Sequence, residues 1–144
     1  MYVIEYLSNC VGSMVDSTQK KTSDGRQKLG SLGERLASAS LEGRGYRIIE
    51  RNFRCRSGEI DLVAEEGQDL VFIEVKTRRG TAYGLPEEAV NSRKARKLQE
   101  VACCYLELHN LPDCSWRIDV VAVQFTSIGK LEEIRVYQHA ITAS

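Results

Sequence analysis

The chain has 144 residues, of which 42% are apolar and 28% are charged. This length accommodates one domain with a sizeable core, and the composition is that of a globular protein rather than a disordered or membrane-embedded one. Lysine and arginine together number 20, as do aspartate and glutamate, so any role on nucleic acid would depend on local basic clusters. No apolar run in the sequence approaches the ~20 residues that a membrane helix requires.

The cysteines and the N-terminal segment indicate a cytoplasmic protein. The five cysteines are an odd number without a Cys-x-x-Cys pair, which fits neither a disulfide framework nor a zinc site, so we expect reduced thiols. The first ten residues end at Cys10 as a lipoprotein signal would, but they contain Glu5 and no lysine or arginine, which argues against export. We predict a flexible lead-in over residues 1–23 and a single domain over residues 24–144.

The first predicted helix spans residues 24–42. Its apolar side chains recur at helical spacing, and they are Leu29, Leu32, Leu36, Ala39 and Leu41. Gly30 and Gly33 leave one side of this helix thin enough for close approach to a sheet. Two interpretations of Glu34 are open, namely a functional acid beside the apolar stripe and a helix-start residue in a capping box with Ser31.

A strand and a β-hairpin are predicted after this helix. Gly43 and Gly45 end the helix, and residues 46–53 form the strand. Residues 58–78 then form the hairpin, which turns at Glu66-Gly67-Gln68, because apolar residues alternate with period two on each side of that turn.

The second half of the chain predicts a helix and two strands. The helix runs from Pro86 to His109, with one face formed by Val90, Lys94, Leu98, Val101, Ala102, Tyr105 and Leu108. Residues 116–125 are apolar on both sides and predict an interior strand that suits parallel pairing, and residues 132–138 predict a short edge strand. This order predicts an α/β fold, an αβββαβ core whose mixed central sheet is flanked by helices, with a C-terminal addition.

An acidic cluster interrupts the apolar pattern of the hairpin. Glu59 and Asp61 share one strand face, while Glu74 and Lys76 share a face of the second strand. If a loop of about four residues closes the hairpin, Asp61 and Glu74 lie opposite or diagonal to each other, with Cβ atoms about 5–8 Å apart. Such a cluster costs folding free energy unless a cation or a partner charge compensates it.

The donor set of this cluster suits a hard cation. Carboxylates of Asp61 and Glu74, with the backbone carbonyl of Val75 nearby, are ligands that Mg²⁺ or Mn²⁺ accepts. Lys76 would orient or deprotonate a metal-bound water, or offset charge that develops on a phosphate. These parts suffice for phosphodiester hydrolysis. The structural alternative is a simple ion pair, because Glu-x-Lys on one strand face is common.

Three basic groups flank the acidic cluster, in residues 44–56, 76–79 and 93–97. Arginine and lysine at such positions would neutralise the phosphates of a nucleic acid. We therefore predict nucleic-acid contacts for Arg54, Arg56, Arg78, Arg79, Lys94 and Lys97.

Two further features near the basic groups each have two interpretations. Tyr46, Phe53 and Tyr83 could stack on exposed bases or pack within the protein. Lys94, on an apolar helix face, could serve the site or cover the core with its alkyl stem while the ammonium reaches solvent.

Four segments carry a composite motif. They read GERLASASLEGRGYRIIERNFRCRSGEIDLVA, LVFIEVKTR, YGLPEEAV and WRIDVVAV. Together they closely resemble the bacterial YraN family of small proteins over residues 28–125. That family is similar to the PD-(D/E)XK nuclease superfamily, so the resemblance implies a restriction-endonuclease-like core, related to Holliday-junction resolvases, and a single nuclease-like domain over residues 24–144.

The resemblance also implies roles for individual positions. It makes Asp61 and Glu74 the metal ligands and Lys76 the catalytic lysine. Glu34 becomes an acid that joins the metal site from the middle of the first helix, which favours function over capping. The acid of the GEIDL segment and the helix-borne basic residue of the family correspond to Glu59 and Lys94. Mg²⁺ or Mn²⁺ is the implied cofactor, and a homodimer is implied by the resolvases.

Three functions are open at this point. The first is a metal-dependent nuclease that hydrolyses DNA phosphodiester bonds, including those of branched or other irregular structures, with catalytic residues Asp61, Glu74, Lys76 and Glu34. The second is a nucleic-acid-binding module that keeps the fold without efficient catalysis. The third is an interaction protein whose charged cluster is an internal ion-pair network.

Overall fold

The computed structural model describes residues 25–80 and 91–141. Its helices and strands are, in chain order, α1 (Gly25–Gly43), β1 (Arg47–Cys55), β2 (Gly58–Glu66), β3 (Asp69–Arg79), α2 (Ser92–Leu108), β4 (Trp116–Phe125) and β5 (Leu131–Ile141). The predicted order of elements is confirmed. The predicted lead-in over residues 1–23 lies outside the described residues, as does Tyr83.

The strands form one five-stranded mixed sheet with the spatial order β1-β2-β3-β4-β5. Strands β3 and β4 are parallel, and the other neighbouring pairs are antiparallel. The interior parallel strand predicted for residues 116–125 is therefore confirmed as β4, since it is paired on both sides. The edge strand predicted at residues 132–138 is confirmed as β5, which is longer than predicted.

The β2–β3 hairpin closes with a two-residue turn rather than the four-residue loop considered above. Glu66 pairs with Asp69, and Gly67 occupies the first turn position with φ of 61°. Glycine adopts this left-handed conformation without the Cβ penalty of other residues, and a tight hairpin turn favours it there. The turn sets a register in which Leu62 pairs with Ile73.

Each face of the sheet carries one helix. Helix α1 buries Ala37 and Leu41 against a cluster that includes Leu62, Ile73 and Val121. Helix α2 buries other residues in the opposite cluster, namely Leu98, Val101, Ala102 and Tyr105, with Phe53 and Phe72 from the sheet. The prediction of a mixed sheet flanked by helices is confirmed. No helix within the described ranges is long and apolar enough to cross a bilayer.

The buried face of α1 agrees in part with the predicted stripe. Leu41 is buried and Leu29 and Leu36 pack against the same core, whereas Leu32 is partly exposed and Ala39 is exposed. A Cβ at Gly33 would overlap the side chain of Thr77 on β3. The close approach to the sheet predicted at Gly33 is therefore confirmed.

Helix α2 begins at Ser92, so a continuous helix from Pro86 is wrong. The backbone of Asn91 is extended, and its side chain accepts a hydrogen bond from the N–H of Lys94 at 2.9 Å, which is the geometry of an N-cap. Residues 86–90 lie outside the described ranges. The predicted burial of Leu108 is also wrong, because this residue is 67% exposed.

A buried polar network ties the hairpin turn to β4. Arg117 donates to Asp119 at 3.0 Å, and the hydroxyl of Tyr46 donates to the same carboxylate at 3.0 Å. Arg117 also pairs with Asp69 at 2.8 Å and with Glu66 at 2.9 Å. Because Glu66 and Asp69 bracket the turn, these ion pairs hold the turn end of the hairpin against the neighbouring strand.

We expect Gly33→Ala to destabilise the protein by about 1–3 kcal/mol, because the added methyl group overpacks the contact with Thr77. Gly30→Ala is the matched control in the same helix, since nothing lies within 4 Å of its added Cβ. The control should be stabilising by up to about 1 kcal/mol, because alanine has the higher helix propensity. Urea unfolding measures both, and equal stabilisation of the two variants would contradict the close approach of α1 to β3.

Candidate functional site

Asp61 lies where strands β2 and β3 separate. The ladder between these strands runs from the turn to the pair Leu62–Ile73, and the next residue on β2 is Asp61. Its carboxylate oxygen Oδ2 accepts a hydrogen bond from the backbone N–H of Val75 at 2.7 Å. The side chain therefore takes up a backbone donor of β3 at the point where the strand pairing ends, and this bond fixes the carboxylate beside Glu74.

Glu74 is the buried acid of the site, with a side chain that is 8% exposed. Two ammonium groups contact the same oxygen, Oε1, since the Nζ atoms of Lys76 and Lys94 each lie 3.3 Å from it. Lys76 comes from the same strand. Lys94 comes from the first turn of α2, where its backbone N–H donates a hydrogen bond to the side chain of the N-cap residue Asn91. The interpretation that Lys94 covers the core while its ammonium reaches solvent is thus incomplete, because the ammonium pairs with Glu74.

Several carboxylates lie close enough to Asp61 to shift its pKa. Burial, and next the negative charge of Glu74, raise the pKa of Asp61 to about 7, although the Val75 hydrogen bond opposes this shift. Glu34 and Glu59 raise the same pKa further. A carboxyl group with this pKa is partly protonated at neutral pH. The surroundings of Asp61 therefore stabilise its anion less well than water does.

Glu34 reaches this cluster from the middle of α1. The helix begins at Gly25, so the interpretation of Glu34 as a capping residue with Ser31 is wrong. Burial raises the pKa of Glu34, as do the charges of Glu59 and Glu74, while Arg51 lowers it. The acid therefore lies near the other carboxylates.

The donor set allows a metal site with few protein ligands. Within residues 25–80 and 91–141, no group of three or more His, Cys, Asp or Glu side chains is placed to hold a metal ion. Glu34 is near enough for the charge of Glu74 to raise its pKa, and its role as a third ligand stays a prediction. The pair, with the carbonyl of Val75, still fits Mg²⁺, which is typically bound through one or two carboxylates and keeps several waters.

The basic residues fall into two groups according to their contacts. Arg56 and Lys97 are exposed and Arg78 is half-buried, so these three remain predicted phosphate contacts. Arg54 pairs with Glu59 at 3.0 Å on the surface. Arg79 donates from Nε and Nη2 to the backbone carbonyl of Ser127, at 3.1 and 2.9 Å, so it holds the β4–β5 loop.

Of the three aromatic residues considered above, Tyr46 and Phe53 lie in the described ranges, and both are buried. The ring of Phe53 packs edge-on against Tyr105 at 5.0 Å. For these two residues the packing interpretation is confirmed and the stacking interpretation is wrong.

Arg51 is a residue near the site that the sequence did not single out. It donates to the hydroxyl of Ser38 on α1 at 2.7 Å and lies 3.9 Å from Glu42. Its charge also lowers the pKa of Glu34. No local pattern identifies this role, because the contact depends on how α1 packs across β1.

Among solved structures, this chain is distantly similar to one from an archaeon. The structure of Pyrococcus furiosus SfsA in complex with Ca²⁺ aligns with 82% of this chain at 15% identity and a TM-score of 0.38. The chain spans 65% of that structure's length. A similarity this low carries no argument about function.

Comparison with protein families gives a definite result. The model described as "Uncharacterised protein family UPF0102" matches residues 33–123. A UPF0102 protein of Moorella thermoacetica is 49% identical over 115 residues, covering 80% of this chain and 96% of the relative. One of Geobacter sulfurreducens is 50% identical over 99 residues, covering 69% and 77%. The chain therefore belongs to the UPF0102 family, which is the YraN family that the composite motif indicated.

Proposed function

We propose that this protein is a metal-dependent nuclease that hydrolyses DNA phosphodiester bonds, with Mg²⁺ or Mn²⁺ as the cofactor. The observation that carries the proposal is the meeting of Asp61 and Glu74, with two lysine ammonium groups on Glu74, where β2 leaves β3. Hard oxygen donors of this kind suit such ions, and phosphate oxygens complete their coordination in many enzymes.

Each side chain of the site has a role in this proposal. Asp61 and Glu74 would hold the cation with the carbonyl of Val75, and the cation would supply Lewis-acid activation of water and offset charge on the phosphate. Lys76 would orient or deprotonate the attacking water, or stabilise charge on the phosphate during attack. Lys94 lies at the same carboxylate oxygen as Lys76, so we place it near the scissile phosphate rather than on a remote part of the substrate.

The fold and the surface charges support a nucleic-acid substrate. A mixed sheet with a helix on each face agrees with the restriction-endonuclease-like core that the YraN resemblance implies. Arg56, in the turn between β1 and β2, and Lys97, on α2, are both exposed. Both side chains are thus available to phosphates. Preference for branched DNA and a homodimer stay predictions from the resemblance.

A binding module without efficient catalysis is the second candidate. Two observations favour it, namely that no three acids among the described residues are placed to hold a metal and that two lysines already neutralise Glu74. In this case the same basic surface would bind nucleic acid while the acidic cluster stayed inert.

We expect the purified protein to cleave at least one of single-stranded, duplex and four-way-junction DNA with Mg²⁺ or Mn²⁺ and not with EDTA. Asp61→Asn and Lys76→Ala should each lower the cleavage rate by about 10²–10³-fold, as removal of a group that stabilises the transition state does. Glu133→Gln and Lys130→Ala are matched controls on β5 and the loop before it, and they should cleave at the wild-type rate. Cleavage that survives both site substitutions would remove the site assignment.

The binding of DNA distinguishes the two candidates when no cleavage is found. Binding that weakens with salt should persist in EDTA, and Arg56→Ala or Lys97→Ala should each reduce the slope of log K against log salt by about 1. Arg135→Ala is the control, because Arg135 pairs with Glu133 on the edge strand and should leave the slope unchanged. Absence of both binding and cleavage would favour the interaction-protein interpretation.

We expect the stability of the metal-free protein to fall as pH rises from about 4 to about 7. In this window an unfolded aspartate, with an ordinary pKa of 3.8, has lost its proton, whereas folded Asp61, with a pKa of about 7, still holds it. The folded state then binds more protons, so stability decreases with pH and levels off above the folded pKa.

Asp61→Asn tests this dependence by thermal unfolding. The variant should match the wild type at pH 4 and exceed its free energy of unfolding by about 4 kcal/mol at pH 8, since one pKa unit corresponds to about 1.4 kcal/mol. Mg²⁺ should raise the midpoint temperature of the wild type at pH 8 and not that of the variant. Glu133→Gln, which removes an exposed carboxylate, is the control. Parallel pH profiles for Asp61→Asn and the wild type would show that Asp61 is ionised throughout.

A further inference from the structure

The ladder between strands β1 and β2 has a register shift between Ile48 and Glu50 and, further along, lacks a pair at Asn52 and Asp61. Their ladder contains the pairs Arg51–Leu62 and Phe53–Ile60, so Asn52 and Asp61 lie between these pairs on the two strands. Asn52 has φ of 55°, in the left-handed region that few residues other than glycine adopt, although asparagine tolerates it better than most. A residue in this conformation inside a strand changes the direction of the side chains that follow it.

The side chains of β1 and β2 change faces at Asn52 and Asp61, where regular strands would keep their alternation. In a regular strand, residues two apart point to the same face. Here Arg51 contacts Ser38 of α1 on one face, whereas Phe53 packs against Tyr105 of α2 on the other. The partner strand inverts as well, because Leu62 belongs to the α1-side core and Ile60 to the α2-side core, each almost wholly buried.

Asp61 is the residue of β2 at which this inversion occurs. If β2 alternated regularly, Ile60 and Leu62 would face the same side, and Asp61 would point to the opposite one. Instead Ile60 is buried in the α2-side core and Leu62 in the α1-side core. Asp61 directs its carboxylate along the sheet, where it accepts a hydrogen bond from the backbone N–H of Val75. The direction of this side chain therefore depends on the break in the β1–β2 ladder.

We propose that Asn52 is a positioning residue, whose left-handed backbone inverts the β1–β2 pair so that the Asp61 carboxylate reaches β3 beside Glu74. The proposal rests on the proposed function in that it assigns Asn52 to the same site. Irregular strand conformations next to functional side chains commonly re-aim them. Asn52 touches neither substrate nor cation in this account, and it acts through the backbone.

The experiment compares substitutions that accept or resist the left-handed conformation. Asn52→Gly keeps it accessible, whereas Asn52→Val, with a β-branched side chain, opposes it. Asn110→Val is the matched control, since Asn110 has the same φ of 55° and lies just beyond the C-terminus of α2, away from the strands. Asn52→Ala gives a milder test if Asn52→Val fails to fold.

Two readouts are measured on each variant, namely the affinity for Mn²⁺ by electron paramagnetic resonance and the hydrogen exchange of the Val75 amide by NMR. We expect Asn52→Val, or Asn52→Ala, to weaken Mn²⁺ binding at least tenfold and to accelerate Val75 exchange at least tenfold. Asn52→Gly and Asn110→Val should stay within threefold of the wild type in both, once exchange is compared at equal global stability.

The outcomes separate the positioning role from the proposed function. If Asn52→Val leaves both readouts within threefold of the wild type, the positioning role is wrong. If Asn110→Val changes them as strongly, the effect is a general loss of stability, which also overturns it. If the wild type binds no Mn²⁺, the metal-dependent function fails, and the Val75 amide alone then decides whether Asn52 directs Asp61.

Discussion

The register of the β2–β3 hairpin is the constraint on which the rest of the structure depends. The two-residue turn at Gly67 sets the pairing of Leu62 with Ile73, and a slip of one residue would move every side chain of a strand to the other face. The α1-side and α2-side cores both take residues from this hairpin. The same register brings Asp61 level with Glu74, so one turn determines both the packing of the helices and the composition of the acidic site.

Patterns confined to one segment predicted most of the fold. Period-two alternation identified the hairpin, and the uninterrupted apolar run identified β4 as an interior strand, because local periodicity reports which faces are buried. The buried face of α1 was predictable only in part. Leu29, Leu36 and Leu41 of the predicted stripe pack against the core. Glycine indicated the close approach at Gly33, but its partner Thr77 is far away in sequence, and no local pattern identifies it. The start of α2 was misplaced because Asn91, an N-cap residue, outweighs the helical pattern before it.

In the candidate site too, contacts within one segment were predictable and contacts between distant segments were not. Strand alternation placed Asp61, Glu74 and Lys76 together because all three belong to one hairpin. The pairing of Lys94 with Glu74 joins a helix to a strand, and it was not predicted, since the family motif implied only a basic residue on the helix. The inversion at Asn52 was missed because asparagine only permits a positive φ, and no local pattern shows that the backbone adopts one there. The two interpretations of Tyr46 could not be distinguished from the sequence, because its hydroxyl donates to Asp119, which is distant in the chain.

Two acidic clusters in this sheet differ in how well the surrounding residues stabilise their carboxylates as anions. At the turn end, both oxygens of Asp119 accept hydrogen bonds, from Arg117, Tyr46 and the N–H of His139. The hydrogen bond from Ser115 lowers the pKa of Asp69, which burial opposes and Arg117 reinforces. That cluster stabilises its anions internally. At the other cluster, burial and neighbouring acids raise the pKa of Asp61 to about 7. The Val75 hydrogen bond does not offset this shift, and the two ammonium groups at this cluster, those of Lys76 and Lys94, pair with Glu74 instead.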